Sequence, residues 1–256
     1  DLVRSRGLGD VYKRQVYENA ANLACVGAEP LCIVNCLNFA SPLHPEVFHD
    51  MEQAVLGLGD MARTLDTPVV GGNVSLYNES DEYGTEIKPT PSIGMAGKGP
   101  VRRWTKAAAG DILALVGETG EHLGGSVLDA VTGCGGAAPA IADPSLLPLI
   151  RERVAADRFS GVTDLSKGGL LVALAKLAPN AEVRLSGDPV TALFSETYGR
   201  FLVAVKNEAD LAGLPATVIG TAGGEGLRIA VGDEKVVLSP EEIEFSLSSI
   251  TRLMRY

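Results

Sequence analysis

Residues 68–79 read PVVGGNVSLYNE. Val69 and Val70 are β-branched and favour a strand, while Gly71 and Gly72 remove the side chains that would hold an anion away from the main chain. The stretch predicts a short strand over 68–71 that ends in a glycine loop, whose successive N–H groups form a concave nest for phosphate. Asn73 follows with a neutral amide oxygen, a suitable hard ligand for Mg²⁺ where phosphates supply the negative charge. Ser75 can donate a hydrogen bond to a phosphate or substrate oxygen. Side chains alternate along an extended chain, so Asn73 and Ser75 face one way and Val74 and Leu76 the other. A glycine-rich hairpin turn with capping polar residues has the same pattern, and the stretch alone leaves both readings open.

The chain around it is 46% hydrophobic over 256 residues, enough apolar material for one or two compact units. A net charge of −10 without a basic stripe excludes a nucleic-acid binder that works by neutralising phosphates. No apolar run reaches the roughly 18 residues of a membrane helix, and the N-terminus has no apolar core of a secretory signal. The expectation is a cytoplasmic protein with no membrane or nucleic-acid partner. Cys25, Cys32, Cys36 and Cys134 lack the Cys-x-x-Cys spacing of zinc or redox sites and read as reduced and structural. Residues 1–15, DLVRSRGLGDVYKRQ, hold four basic and two acidic side chains, so the remainder of the chain sums to −12. That mismatch marks them as a non-native leader, a translated adapter scar, and sets them aside from the fold.

Apolar spacing predicts a helix over residues 16–29 closed near Gly27, then a buried strand in LCIVNCLNF, and a helix over 45–65 with Val47, Met51, Val55, Leu58 and Met61 on one stripe. Short strands follow at 68–71 and 92–97. Residues 97–111, GKGPVRRWTKAAAGD, read as a linker. Beyond it come a strand in DILALVGE, the loop GEHLGGS before a helix, GVTDLSKGG before the helix LLVALAKLA, a strand FLVAV from Phe201, three short strands, and a closing helix over 240–253. Strands and helices mix without strict βαβ alternation, which makes the fold class α+β. Neither GEHLGGS nor TDLSKGG is a Walker loop, and each reads as a turn with an N-cap. His44, His49 and His122 have no neighbouring nucleophile or ligand pattern and read as solvated or structural.

Taken together, NAANLACVGAEPLCIVNCLNFASP, TPVVGGNVSLYNE, PTPSIGMAG, TDLSKGGLLVALA, SETYGRFLV and IGTAGG resemble, in order and spacing, the C-terminal half of phosphoribosylformylglycinamidine synthase, the PurL synthetase subunit. The resemblance covers residues 16–256. It implies two PurM-like domains of the aminoimidazole ribonucleotide synthetase type, one over 16–108 that is incomplete at its start and one over 109–256. It further implies an ATP- and glutamine-dependent carbon–nitrogen ligase that amidates formylglycinamide ribonucleotide in purine biosynthesis, with ATP and Mg²⁺. A PurQ-type glutaminase and a small PurS-type subunit would be its partners.

By the same resemblance Asn35 and Gly72 contact ATP, Asn73 holds Mg²⁺, and Ser75 contacts the ribonucleotide. Asn35 stands where many relatives have Asp, which removes a charge and keeps a hydrogen-bonding oxygen. Lys167 replaces an acid in TDLSKGG, and Glu196 and Arg200 serve an auxiliary nucleotide site or the fold, with the fold favoured. No catalytic residue is expected here, since the family's catalytic histidines correspond to nothing in these residues, and the chain alone should be inactive. Two alternatives stay open: another PurM-like ATP-dependent enzyme (aminoimidazole ribonucleotide synthetase, selenophosphate synthetase or thiamine-monophosphate kinase), or a non-catalytic docking module.

Overall fold

The computed structural model describes residues 2–80, 82–100, 105–138 and 143–249, with side chains from residue 7 onward. The first helix, α1 (Leu2–Ala24), starts well before the predicted Val16. This corrects the exclusion of the leader from the fold: Leu8 and Tyr12 pack against Leu37, Phe39 and Val47, and the Tyr12 hydroxyl donates to the Pro89 carbonyl at 3.3 Å. The physical reason is spacing. Leu8, Tyr12, Val16, Ala20 and Ala24 recur every fourth residue and extend one apolar stripe through the segment, a signal that net charge does not report.

β1 (Glu29–Asn38) and α2 (Pro45–Thr64) follow. α2 opens on Pro45 with Glu46 in its first turn and Arg63 in its last, an arrangement matched to the missing donor and to the helix dipole. Next come β2 (Val69–Ser75), the hairpin strands β3 (Glu79–Ser80) and β4 (Thr85–Glu86), and β5 (Ser92–Lys98). β2, β1 and β5 form a sheet in that order, with β1 parallel to β2 and antiparallel to β5. Helices cover one face, burying Ile33 with Val16, Tyr17, Leu58 and Met61. Leu31, Val34, Val70 and Val74 remain exposed. α1 and α2 cross closely because a Cβ on Gly57 would overlap the Gly9 carbonyl; bare backbone on both helices sets the approach.

The second half runs β6 (Ile112–Val116), α3 (Val127–Thr132), α4 (Leu146–Ala155), β7 (Gly161–Asp164), α5 (Gly169–Leu177), β8 (Ala181–Leu185), α6 (Pro189–Phe194), β9 (Phe201–Val205), a 3₁₀ turn (Glu208–Leu211), β10 (Ala216–Ala222), β11 (Leu227–Val231), β12 (Glu234–Leu238) and α7 (Pro240–Leu247). Residues 250–253 of the predicted closing helix lie outside the described residues. The strands form one sheet in the order β12-β11-β8-β10-β6-β9-β7, antiparallel at every pairing except β8 with β11. The architecture is α+β.

β9 is buried at all five positions, and its alternation feeds two cores. Phe201, Val203 and Val205 join Ala114, Ile150 and the α1 residues Val16 and Tyr17. Leu202 and Ala204 join Leu113, Val183 and the helices α5 and α7 on the far face. The three-stranded and seven-stranded sheets therefore share one core through α1.

At the same junction burial, reinforced by the Glu18 carboxylate and eased by Lys176 and Ser166, pushes the Asp164 carboxyl up to about 6. The native chain keeps a proton there that the unfolded chain releases near pH ~4, so this group's stabilisation is complete in acid and is lost as pH rises through about 6. Asp164→Asn removes that dependence. Thermal unfolding should show wild type losing more stability than the variant between about pH 4 and 6.5, by on the order of 2 kcal/mol; parallel curves would refute the assignment.

The helix crossing gives a second test by urea unfolding. Gly57→Ala should cost about 1–3 kcal/mol through overpacking. Gly59→Ala, whose added methyl meets only the flexible Arg63 side chain at 3.4 Å, should gain up to ~1 kcal/mol from helix propensity. Equal effects at the two positions would contradict the crossing.

Candidate functional site

β2 is longer than its sequence suggests. Gly71 and Gly72 lie inside the strand, paired with Val34 and Asn35 of β1, and neither is among the positive-φ glycines. The expected nest is therefore absent at this pair. A parallel ladder requires extended backbone, whereas a nest alternates right- and left-handed residues. Gly72 has a different purpose: a Cβ there would overlap the Asn35 side-chain oxygen and lie 2.8 Å from the Asn35 carbonyl. Gly71 has nothing within 4 Å of a built Cβ. β2 is also an edge strand, so half of its main-chain groups point away from β1 and are free for a ligand.

Register decides which side chains meet. Asn35 pairs with Gly72, Cys36 with Asn73 and Asn38 with Ser75, and paired residues share a face while successive ones alternate. Asn73 and Ser75 thus lie on one face with Cys36 and Asn38, as the alternation predicts. Asn35 lies on the other face, with Ile33 and Leu37, and Gly72 beneath its amide. The structure brings the four expected site residues onto one strand pair, but on two sides of it.

On the Asn73 side, the Asn73 amide nitrogen contacts the Cys36 sulfur at 3.8 Å and the Asn38 nitrogen contacts it at 3.5 Å. Asn38 also donates to the Thr90 carbonyl at 3.1 Å. With its nitrogen directed at sulfur, the exposed Asn73 leaves its Oδ1 without a hydrogen-bond partner among the described residues, which is the atom a hard cation takes. Ser75 donates to the Asn78 Oδ1 at 3.0 Å. Cys36, Asn38 and Asn78 were missed by sequence reasoning because register and the return of the chain after β2 leave no local signal.

One further cluster appears. His44, Glu79 and Glu86 each offer a ligand atom, all within 4.8 Å of one another and all exposed. Glu79 and Glu86 face each other across β3 and β4, and Glu79 also accepts from the Ser41 N–H at 3.0 Å. His44 was expected to be solvated or structural, and more than thirty residues of sequence hide its neighbours.

In the second half the favoured reading of Glu196 and Arg200 fits their geometry. Glu196 Oε1 accepts from the Val127 and Gly168 N–H groups, both at 2.8 Å, so one carboxylate serves the starts of α3 and α5, where the helix dipoles welcome negative charge. Arg200 is 1% exposed and donates to the Ser195 and Thr197 carbonyls and to Thr119; burial lowers its pKa to about 10. Ser126 caps α3 by accepting from the Asp129 N–H at 3.1 Å. All four cysteines are free.

The profile described as AIR synthase related protein, N-terminal domain, matches residues 9–98, and that of the C-terminal domain matches residues 108–232. The chain belongs to the AIR synthase related family. It is similar to phosphoribosylformylglycinamidine synthase subunit PurL of Methanosarcina mazei, 42% identical over 93% of this chain and 36% of the relative. The corresponding subunit of Methanosarcina acetivorans is 45% identical over 94% and 36%. The chain spans little more than a third of the length of these relatives.

Among solved structures, T. maritima PurL complexed with FGAR aligns with a TM-score of 0.69 at 19% identity, over 90% of this chain and 42% of that one. E. coli HypE, a hydrogenase maturation protein, aligns with 0.63 at 22% identity, over 91% and 82%. These likenesses are of fold. No helix among the described residues is long and apolar enough to cross a membrane.

The two glycines of β2 separate register from anion binding. Gly72→Ala should destabilise by about 1–3 kcal/mol because Asn35 cannot be accommodated, while Gly71→Ala should stay within ~0.5 kcal/mol. Chemical denaturation of both variants checks this, and a Gly71 cost equal to that of Gly72 would revive the nest.

Proposed function

We propose that the chain acts in the ATP-dependent amidation of formylglycinamide ribonucleotide to formylglycinamidine ribonucleotide, with glutamine as the source of ammonia. The observation that carries the reading is the edge strand β2, where an unpaired amide oxygen on Asn73 and the Ser75 hydroxyl share one exposed face, in a chain 42–45% identical to PurL subunits. In the reaction ATP phosphorylates the amide oxygen of the substrate, ammonia adds to the same carbon, and inorganic phosphate leaves. Such chemistry depends on alignment and charge neutralisation more than on covalent participation of the protein.

Each residue has a place in that scheme. The outward main chain of β2 at Gly72 approaches ATP, Asn35, whose side chain lies over Gly72, hydrogen-bonds it at the same strand edge, and Ser75 contacts the ribonucleotide. Asn73 Oδ1 fits Mg²⁺, a hard cation whose remaining ligands are phosphate oxygens and water; Mg²⁺ would neutralise charge on the transferred phosphoryl group. A first domain that takes in α1 and runs to residue 108, a second over 109–256, a PurQ-type glutaminase and a small PurS-type subunit complete the proposal.

Two measurements test it. Titration of the chain with a non-hydrolysable ATP analogue should show affinity that rises with Mg²⁺, and Asn73→Ala should abolish that rise while binding without metal persists. An unchanged Mg²⁺ response in the variant would remove Asn73 from the site. Supplied with ATP, ammonia and formylglycinamide ribonucleotide, the 256-residue chain should release no phosphate above a protein-free control.

A further inference from the structure

The chain leaves β2 at Ser75 and turns back on itself. Tyr77 adopts a left-handed backbone with φ of 59°, a conformation that costs a non-glycine residue of order 1 kcal/mol or more and persists where neighbours over-determine it. Its N–H donates to the Ala40 carbonyl at 3.1 Å. The turn delivers Asn78 over the end of β2, where every polar atom of that residue is engaged. Its main-chain N–H donates to the Phe39 carbonyl at 3.2 Å and its carbonyl accepts from Ile87 at 2.9 Å. Its side-chain nitrogen donates to the Phe39 carbonyl at 2.8 Å and to the Ser75 carbonyl at 2.9 Å.

These partners fix the amide. Two main-chain carbonyls can only accept, so the NH₂ end must face them and Oδ1 must face Ser75. An amide oxygen cannot donate either. The 3.0 Å contact between Ser75 Oγ and Asn78 Oδ1 therefore takes the serine's single proton, and Ser75 turns only lone pairs toward a ligand.

We propose that Asn78 is a positioning residue that makes Ser75 an obligate hydrogen-bond acceptor, so that Ser75 recognises an N–H or O–H of the substrate and not a phosphate oxygen. This reverses the donor role expected from sequence. It rests on the proposed function in one respect, that Ser75 meets the ribonucleotide. Formylglycinamide ribonucleotide presents amide N–H groups and ribose hydroxyls as well as a phosphate that is largely dianionic at neutral pH. On this inference Ser75 reads the amide or ribose part, and the phosphate is held by other groups.

The experiment has two arms. Neutron diffraction from the deuterated chain should place the Ser75 deuteron on the line to Asn78 Oδ1 and both Asn78 amide deuterons on the Phe39 and Ser75 carbonyls; a deuteron elsewhere, or a reversed amide, overturns the proposal whatever the substrate. Calorimetric titration with formylglycinamide ribonucleotide then compares variants. Ser75→Ala should weaken binding about tenfold, the equivalent of one good hydrogen bond. Asn78→Ala should weaken it by about threefold through lost orientation, while Asn78→Asp, which still offers an oxygen to the Ser75 proton, should stay within about twofold even though its stability falls. Equal losses for Asn78→Asp and Asn78→Ala would reduce Asn78 to a structural residue and overturn the proposal. Unchanged binding by Ser75→Ala would instead remove Ser75 from the substrate site, a failure of the functional reading that the deuteron position separates from a failure of this one.

Discussion

Residue 72 has no side chain, and the Asn35 amide occupies the space one would fill. That single contact sets the parallel register of β1 and β2, and the register sets everything else at the edge: Asn73 beside Cys36, Ser75 beside Asn38, Asn35 on the opposite face. A slip by one residue would send each of these side chains to the other side of the sheet. The site is thus specified by backbone proximity before any ligand chemistry enters.

The seven-stranded sheet relies on a different constraint. Glu196 brings one negative charge to two helix N-termini, and Arg200 satisfies the loop beneath it. Removing the carboxylate would leave two N–H groups unpaired, and unpaired buried donors cost more than an ordinary hydrogen bond contributes. Side chains that resemble a charged ligand site from sequence are here consumed by the protein itself.

Legibility followed periodicity. FLVAV starts at Phe201 because it is an unbroken apolar run buried on both faces, and α2 occupies almost the predicted span because its apolar residues recur every three to four positions. The start of α1 was obscured by charge composition, although Leu8 and Tyr12 continue its stripe. β2 was cut short at Gly71 because glycine usually ends a strand, and only the partner strand shows why Gly72 is needed inside one. Asn73 and Ser75 could be read from alternation. Asn78 could not, since its role comes from a turn that places it three residues away in sequence and directly above in space. The Asn35 side chain lies over the bare backbone of Gly72, a packing relation invisible in one dimension.

The shared core has a mechanical consequence. α1 inserts Val16 and Tyr17 among residues of both sheets, including Ile33, Ala114 and Val203, and such close-packed interiors resist shear. The two sheets cannot swing as a clamshell without tearing those contacts apart. The frame behind β2 therefore serves as a fixed anvil for whatever meets its edge.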